Sequence, residues 1–132
     1  MIEIEEKFKI LLVDDEPDFI EPMAFWMRAN GYLVSIASSG RQALQMIEDN
    51  PPDMVFLDIR MPVMDGIETL RHIREFDQKL PVIIVTAYPT IEYFSKTQEL
   101  NVSGFFDKDG DFEELRNVVN LTLNTYKKLW NK

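Results

Sequence analysis

The chain has 132 residues, of which 45% are apolar and 28% charged, a length and composition typical of one globular domain with a single core. Its 14 basic and 23 acidic residues give a net charge of −9, so we expect a surface that repels nucleic acids and anionic membranes. The sequence has no cysteine and one histidine, His72, which excludes thiolate and two-histidine metal sites, and without a recognisable leader or membrane span we expect a cytoplasmic protein.

Five short apolar runs predict the strands of a sheet. Two of them contain uninterrupted apolar stretches, Met54–Leu57 and Val82–Val85, which are typical of strands buried on both faces. The second run has a more mixed pattern, which favours an edge strand. The predicted strands are Phe8–Val13, Leu33–Ala37, Met54–Asp58, Val82–Thr86 and Gly104–Phe106.

Helical patterns separate these runs. Because proline is tolerated in the first turn of a helix but not further in, Pro22 predicts that the regular part of the first helix begins near Asp18, with Pro22 in the first turn. Alternation of strands and helices with short connections predicts a parallel sheet covered by helices on both sides. The later helices are predicted from a cap at Ser38 or Ser39 to Asn50, from Gly66 to Phe76, and from a cap at Asp111 through Trp130.

Acidic and polar residues follow the predicted strands at the edge where such sheets bind ligands. If the first and third strands are neighbours, Asp14, Asp15 and Asp58 converge, and two unit charges 4 Å apart repel by roughly 4 kcal/mol at a dielectric of 20. The cluster therefore needs a cation or raised pKa values, and an open all-oxygen site suits Mg²⁺. With the ammonium of Lys108 and the hydroxyl of Thr86, it can support phosphoryl transfer to a carboxylate.

Four motifs in order make the sequence resemble a response-regulator receiver domain of two-component phosphorelay signalling, from about Phe8 to Asn124. The motifs are Asp14-Asp15-Glu16-Pro17, Leu57-Asp58-Ile59-Arg60-Met61-Pro62-Val63-Met64-Asp65-Gly66, Val85-Thr86-Ala87 and Lys108. The resemblance implies a flavodoxin-like, doubly wound (βα)5 α/β fold with a five-stranded parallel sheet in the order 2-1-3-4-5. It also implies a single domain over residues 1–132, with a core at about 8–124 and a helical extension at 125–132 that can lead to an output domain.

The resemblance assigns roles to individual residues. It implies a signalling module that catalyses its own phosphorylation and dephosphorylation, rather than a conventional turnover enzyme. Its expected partners are a histidine kinase or phosphotransfer protein, or a small phosphodonor. By this resemblance Asp58 is the phosphoacceptor and Phe105 is the switch aromatic. The implied Mg²⁺ ligands are Asp15, Asp58 and the Arg60 carbonyl, with Asp14 acting through water. The implied contacts of the phosphoryl group are Thr86, the Ala87 amide and Lys108.

Two positions depart from the family pattern. Asp109 replaces the usual proline after the lysine, so we expect a trans Lys108–Asp109 bond and expect Asp109 to draw Lys108 away from the phosphoryl position. Phe105 lacks the hydroxyl of the common tyrosine, so its two states should differ in packing. The expected output surface is helix four, strand five and helix five, with Tyr88, Tyr93 and Phe94 as anchors and Glu92, Lys96, Glu99 and Arg116 nearby, serving a homodimer or an output domain.

Two other functions compete with this interpretation. A haloacid-dehalogenase-like phosphohydrolase also forms an aspartyl phosphate, but it needs a second acid where this chain has Arg60. A flavodoxin-like electron carrier needs a phosphate loop after the first strand, where Asp14, Asp15 and Glu16 would repel a phosphate.

Overall fold

A computed structural model describes residues 7–87 and 90–130 of the chain, apart from the side chains of Ile91 and residues 126–130. Strands and helices alternate along the whole of this part, as the sequence predicts. The strands are β1 (Lys9–Val13), β2 (Leu33–Ala37), β3 (Met54–Asp58), β4 (Val82–Thr86) and β5 (Gly104–Asp107), and the helices are α1 (Pro17–Ala29), α2 (Gly40–Asp49), α3 (Gly66–Phe76), α4 (Ile91–Gln98) and α5 (Phe112–Trp130).

The five strands form one parallel sheet in the order β2-β1-β3-β4-β5, which confirms the expected topology. Strand β2 lies at an edge, as its mixed pattern predicts, and every residue of β3 and β4 is buried. The chain order reverses between β1 and β3, so the carboxyl ends of these two strands open a crevice at the switch point. Asp14 and Asp58 lie at that crevice.

Each face of the sheet carries its own core. Alternate strand residues face opposite layers because successive side chains point to opposite sides of a strand. Leu12 and Phe56 pack with residues of α1 and α5, such as Met27 and Leu115. The second core lies on the other face, with α2, α3 and α4, and includes Leu11, Val13, Ala43, Val55, Leu57, Leu70, Ile73, Val82 and Ile84.

Helix α1 begins at Pro17, one residue before the predicted start, but the prediction that Pro22 lies in the first turn is wrong, because Pro22 lies inside the helix. Pro17 suits the first helical position, and the Glu16 carbonyl accepts hydrogen bonds from the backbone N–H groups of Phe19 (3.2 Å) and Ile20 (3.1 Å). Pro22 cannot donate to the carbonyl of Asp18, but both residues are exposed, so water can satisfy that carbonyl. Exposure explains why the helix tolerates an internal proline.

The starts of α2 and α5 follow the predicted caps. The Ser39 hydroxyl accepts a hydrogen bond from the Gln42 N–H at 3.1 Å, and Asp111 Oδ1 accepts one from the Glu114 N–H at 2.8 Å. Strand β1 starts one residue later than predicted, and β5 extends to Asp107. Within residues 7–87 and 90–130, no helix is both long enough and apolar enough to span a membrane.

Candidate functional site

Four carboxylates meet at the ends of β1 and β3. The pairing of Val13 with Leu57 brings the following residues, Asp14 and Asp58, side by side. The backbone N–H of Asp14 donates to the Ala37 carbonyl at 3.1 Å, which fixes the chain as it leaves the sheet. One carboxylate oxygen from each acid lies within 4.8 Å of the others; the four acids are Asp14, Asp15, Glu16 and Asp58.

Lys108 enters this cluster from the end of β5. Its backbone N–H donates to the Thr86 carbonyl at 3.0 Å. Its Nζ lies 2.8 Å from Asp14 Oδ2, 3.0 Å from Glu16 Oε1 and 3.4 Å from Asp58 Oδ2. The ammonium is therefore shared among three acids, and the side chain that carries it is only 10% exposed.

The replacement of proline by Asp109 leaves Lys108 in the site. As expected, the Lys108–Asp109 bond is trans, since the described residues contain no cis peptide bond. The expectation that Asp109 draws Lys108 away is wrong. The backbone N–H of Asp109 bonds to Asp107 Oδ1 at 2.9 Å, and the Lys108 side chain turns toward the three acids, whose combined charge outweighs that of the exposed Asp109.

The pKa values of Asp58 and Lys108 are both raised by their surroundings. Burial, together with the negative charge of Asp14, raises the pKa of Asp58 to about 7, against the opposing effects of Lys108 and the Arg60 N–H. Burial alone would lower the pKa of Lys108, but its contacts with Asp14, Glu16 and Asp58 outweigh burial and raise it. Lys108 therefore stays charged at neutral pH, whereas burial and the charge of Asp14 disfavour the ionised form of Asp58.

The carboxylate oxygens of the cluster are suitable ligands for a hard cation. Asp14 Oδ2 and Asp58 Oδ2 are buried, and both face the single ammonium of Lys108, at 2.8 and 3.4 Å. The cluster thus offers four closely spaced carboxylates, and two of them have a buried oxygen of this kind. Such a site suits a cation that prefers oxygen ligands, for example Mg²⁺. A bound cation would also offset the repulsion that raises the pKa of Asp58.

The loop after β3 folds back closely on the acidic strand end. The Gly66 N–H donates to the Ile59 carbonyl at 2.8 Å, and a Cβ atom at Gly66 would overlap the Asp58 carbonyl oxygen. Only glycine fits this approach of α3 to β3. Asp65 caps α3 by accepting a hydrogen bond from the Glu68 N–H at 2.9 Å, so it is a capping residue. The Arg60 N–H donates to Asp58 Oδ1 at 3.3 Å.

The remaining predicted residues lie beside the cluster or one layer away. Thr86 is buried at the end of β4, and Ala87 directly follows it. Phe105 lies on β5, in register with Ile84, and its ring stacks on Phe94 of α4 with centroids 5.0 Å apart. Tyr88 lies outside the described residues.

Two contacts of Lys108 were not expected from the sequence. Glu16 belongs to the first motif, but neither it nor Phe19 has a role in the sequence-based prediction. Their spacing of three residues shows only that they share one side of the start of α1, and the structure places the Phe19 ring centroid 4.8 Å from Lys108 Nζ. Both residues extend the site onto the first turn of α1.

The fold and the site define a phosphoacceptor signalling domain, and comparison with known families agrees. The family model described as the response regulator receiver domain matches residues 10–120, so the chain belongs to that family. Its function is therefore phosphoacceptor signalling in the manner of two-component response regulators. The haloacid-dehalogenase alternative finds no support.

Individual relatives differ in length. Sporulation initiation phosphotransferase F of Bacillus subtilis is 36% identical over 111 residues, covering 84% of this chain and 90% of that protein. Transcriptional regulatory protein ZraR of Escherichia coli K12 is 34% identical over 118 residues, covering 89% of this chain but 27% of that protein. The chain thus spans about a quarter of the length of the ZraR regulators it matches.

Solved structures agree on the architecture. A response regulator receiver domain protein from Clostridium thermocellum superposes with a TM-score of 0.85 at 27% identity, covering 92% of this chain and 98% of that one. A receiver domain protein from Methanospirillum hungatei gives a TM-score of 0.89 at 24% identity, over 93% and 98% of the two chains, and supports the fold alone.

Proposed function

We propose that Asp58 accepts a phosphoryl group from the phosphohistidine of a histidine kinase or phosphotransfer protein, or from a small acyl phosphate. The observation that carries this proposal is a nearly buried carboxylate held between Asp14 and Lys108 at the switch point of the sheet. An Asp58 oxygen bonds to phosphorus as the bond between phosphorus and the donor atom breaks, and the donor leaves with that electron pair. The cluster acts on its own phosphorylation and is not a turnover enzyme.

Asp15, Asp58 and the Arg60 carbonyl would hold Mg²⁺, with Asp14 contributing through water. When bound, Mg²⁺ would neutralise charge on both the acceptor carboxylate and the phosphoryl oxygens. The support is the four-carboxylate cluster, whose two buried oxygens share a single ammonium, that of Lys108. Thr86 and the Ala87 amide donate to the phosphoryl oxygens, and Lys108 pairs with the phosphoryl group once Asp58 carries it.

The output surface is the face formed by α4, β5 and α5. Phe94 is 52% exposed there and stacks on Phe105, so a change in Phe105 packing reaches the surface directly. Arg116 of α5 was expected near this surface, but its side chain faces α1 instead, with the guanidinium 5.7 Å from the Trp26 ring. Leu121, 69% exposed, lies about 140° around α5 from Arg116 and so on a different flank. Phosphorylation favours association of this face with a second copy or an output domain.

The chain as a whole is a single receiver domain over residues 1–132, with a core at about 8–124 and a helical extension after it. The family match over residues 10–120 and the continuation of α5 to Trp130 support this division. Its place is the cytoplasm, and its partners are proteins rather than nucleic acid or membrane, in keeping with a net charge of −9.

Phosphorylation by acetyl phosphate tests the acceptor. Intact-mass spectrometry should show one added phosphate in the presence of Mg²⁺ and none in its absence. Asp58→Asn keeps the shape but loses the nucleophilic charge, so it should remain unlabelled. Asp49→Asn removes one charge from the exposed end of α2 and should label as the parent does. Equal labelling of Asp58→Asn and the parent would refute the proposal.

A further inference from the structure

Glu16 holds the ammonium of Lys108 at the rim of the acidic site. Its Oε1 lies 3.0 Å from Lys108 Nζ, and its side chain is 64% exposed, whereas those of Asp14 and Asp58 are 3% exposed. Lys108 thus has two buried acidic partners and one partner at the surface. Glu16, the partner at the surface, can break its contact with Lys108 without leaving a buried carboxylate unpaired.

The backbone around Glu16 fixes the start of this contact. The Glu16 N–H donates to Asp14 Oδ1 at 2.9 Å, and the residue occupies the N-cap position of α1. Its side chain makes no capping hydrogen bond with the helix and reaches Lys108 instead. One turn later, Phe19 places its ring 4.8 Å from the same ammonium. The first turn of α1 therefore carries two groups that attract Lys108.

We propose that Glu16 is a positioning residue that holds Lys108 toward α1 before phosphorylation and competes with the phosphoryl group for it afterwards. This inference rests on the proposed function of Asp58. A Lys ammonium has three donors and behaves as a compact point charge, so a dianionic phosphoryl group on Asp58 must draw it from existing partners. The contact with Glu16 sets how much Lys108 contributes to the phosphorylated state, and weakening it stabilises that state.

Beryllium fluoride, a phosphoryl mimic that coordinates a carboxylate oxygen, measures this competition without phosphoryl transfer from a donor. In calorimetric titrations at saturating Mg²⁺, Glu16→Gln should bind the mimic about 1.5- to 5-fold more tightly than the parent, the effect of one partly exposed ion pair. Glu21→Gln makes the same charge change at an exposed position of α1 and should bind as the parent does. Equal affinities for Glu16→Gln and Glu21→Gln would overturn the inference.

A second variant separates the contact from the charge. Glu16→Asp keeps the negative charge but is one methylene shorter, so it loses the contact with Lys108 and should bind the mimic nearly as tightly as Glu16→Gln. An affinity closer to that of the parent would show that only the charge matters and would overturn the positioning role.

If the parent itself fails to bind beryllium fluoride with Mg²⁺, the proposed function fails; if it binds and the variants match it, only this inference fails.

Discussion

At the residue scale, the site is governed by one carboxylate whose ionisation is opposed by its surroundings. Asp58 is 2% exposed and lies beside Asp14, and these two features raise its pKa to about 7. Lys108 offsets part of this effect but is shared with Asp14 and Glu16. Without a cation, these surroundings disfavour the ionised form of Asp58, the proposed acceptor, so its nucleophilic form depends on positive charge brought into the site.

The raised pKa of Asp58 makes the stability of the metal-free protein depend on pH. Between its ordinary value of 3.8 and about 7, folded Asp58 keeps a proton that the unfolded chain has lost. Its contribution to the free energy of unfolding is therefore fully present below pH 3.8 and is lost as pH rises through 7. Thermal melts in EDTA from pH 4 to 8 should show this loss.

The matched variant for this prediction is Asp58→Asn, which cannot titrate. Its melting temperature should fall less than that of the parent as pH rises from 5, and the gap between the two curves should widen up to about pH 7 and stay constant above it. Parallel curves for the two proteins across this range would mean that the pKa of Asp58 is not raised.

At the element scale, α1 contains a proline where a helix ordinarily excludes it. Pro22 removes one backbone hydrogen bond from the helix interior, which costs up to about 3 kcal/mol. Pro22→Ala should therefore raise the free energy of unfolding, by about 1–3 kcal/mol once the greater entropy of the unfolded alanine chain is counted. Urea denaturation measures the change.

Pro17→Ala is the control, because Pro17 occupies the first helical position, where its missing N–H would have no helical partner. It should be neutral or slightly destabilising. If both substitutions shift the urea midpoint equally, the internal position of Pro22 carries no special cost, and the account of α1 is wrong.

The elements show which features a sequence can predict. The apolar runs in β3 and β4 predicted buried strands correctly because burial on both faces leaves no place for a polar residue. The place of Pro22 inside α1 could not be predicted, because its tolerance there depends on solvent exposure, which is a tertiary property. Similarly, the convergence of Asp14 and Asp58 follows from strand order, whereas the contacts of Glu16 and Phe19 depend on how α1 is rotated against Lys108.

At the scale of the whole molecule, one sheet links the acidic site to a protein surface. Thr86 ends β4 beside β5, which carries Phe105 to its stack on Phe94. A packed core responds to a new group by switching between arrangements rather than by bending continuously. Phosphorylation should therefore change the exposed surface of α4 and β5, on the opposite layer from α1.

Sedimentation velocity tests this link through dimer formation. With beryllium fluoride and Mg²⁺, the parent should sediment as a dimer, and Phe94→Ala should remain a monomer because its interface anchor is gone. Phe25→Ala removes an exposed aromatic side chain from α1, outside the proposed interface, and should dimerise as the parent does. A parent that stays monomeric, or a Phe94→Ala variant that dimerises equally, would contradict a homodimer through this face.

The central claim is that the phosphoryl group is carried by Asp58 and by none of the neighbouring acids. Borohydride reduces an aspartyl phosphate to homoserine, so treating the phosphorylated protein with borohydride marks the modified residue permanently. Peptide mass spectrometry should then find homoserine at position 58 and unchanged aspartate at positions 14 and 15. Homoserine at position 14 or 15, or an unmodified Asp58 in protein that carries phosphate, would contradict the account.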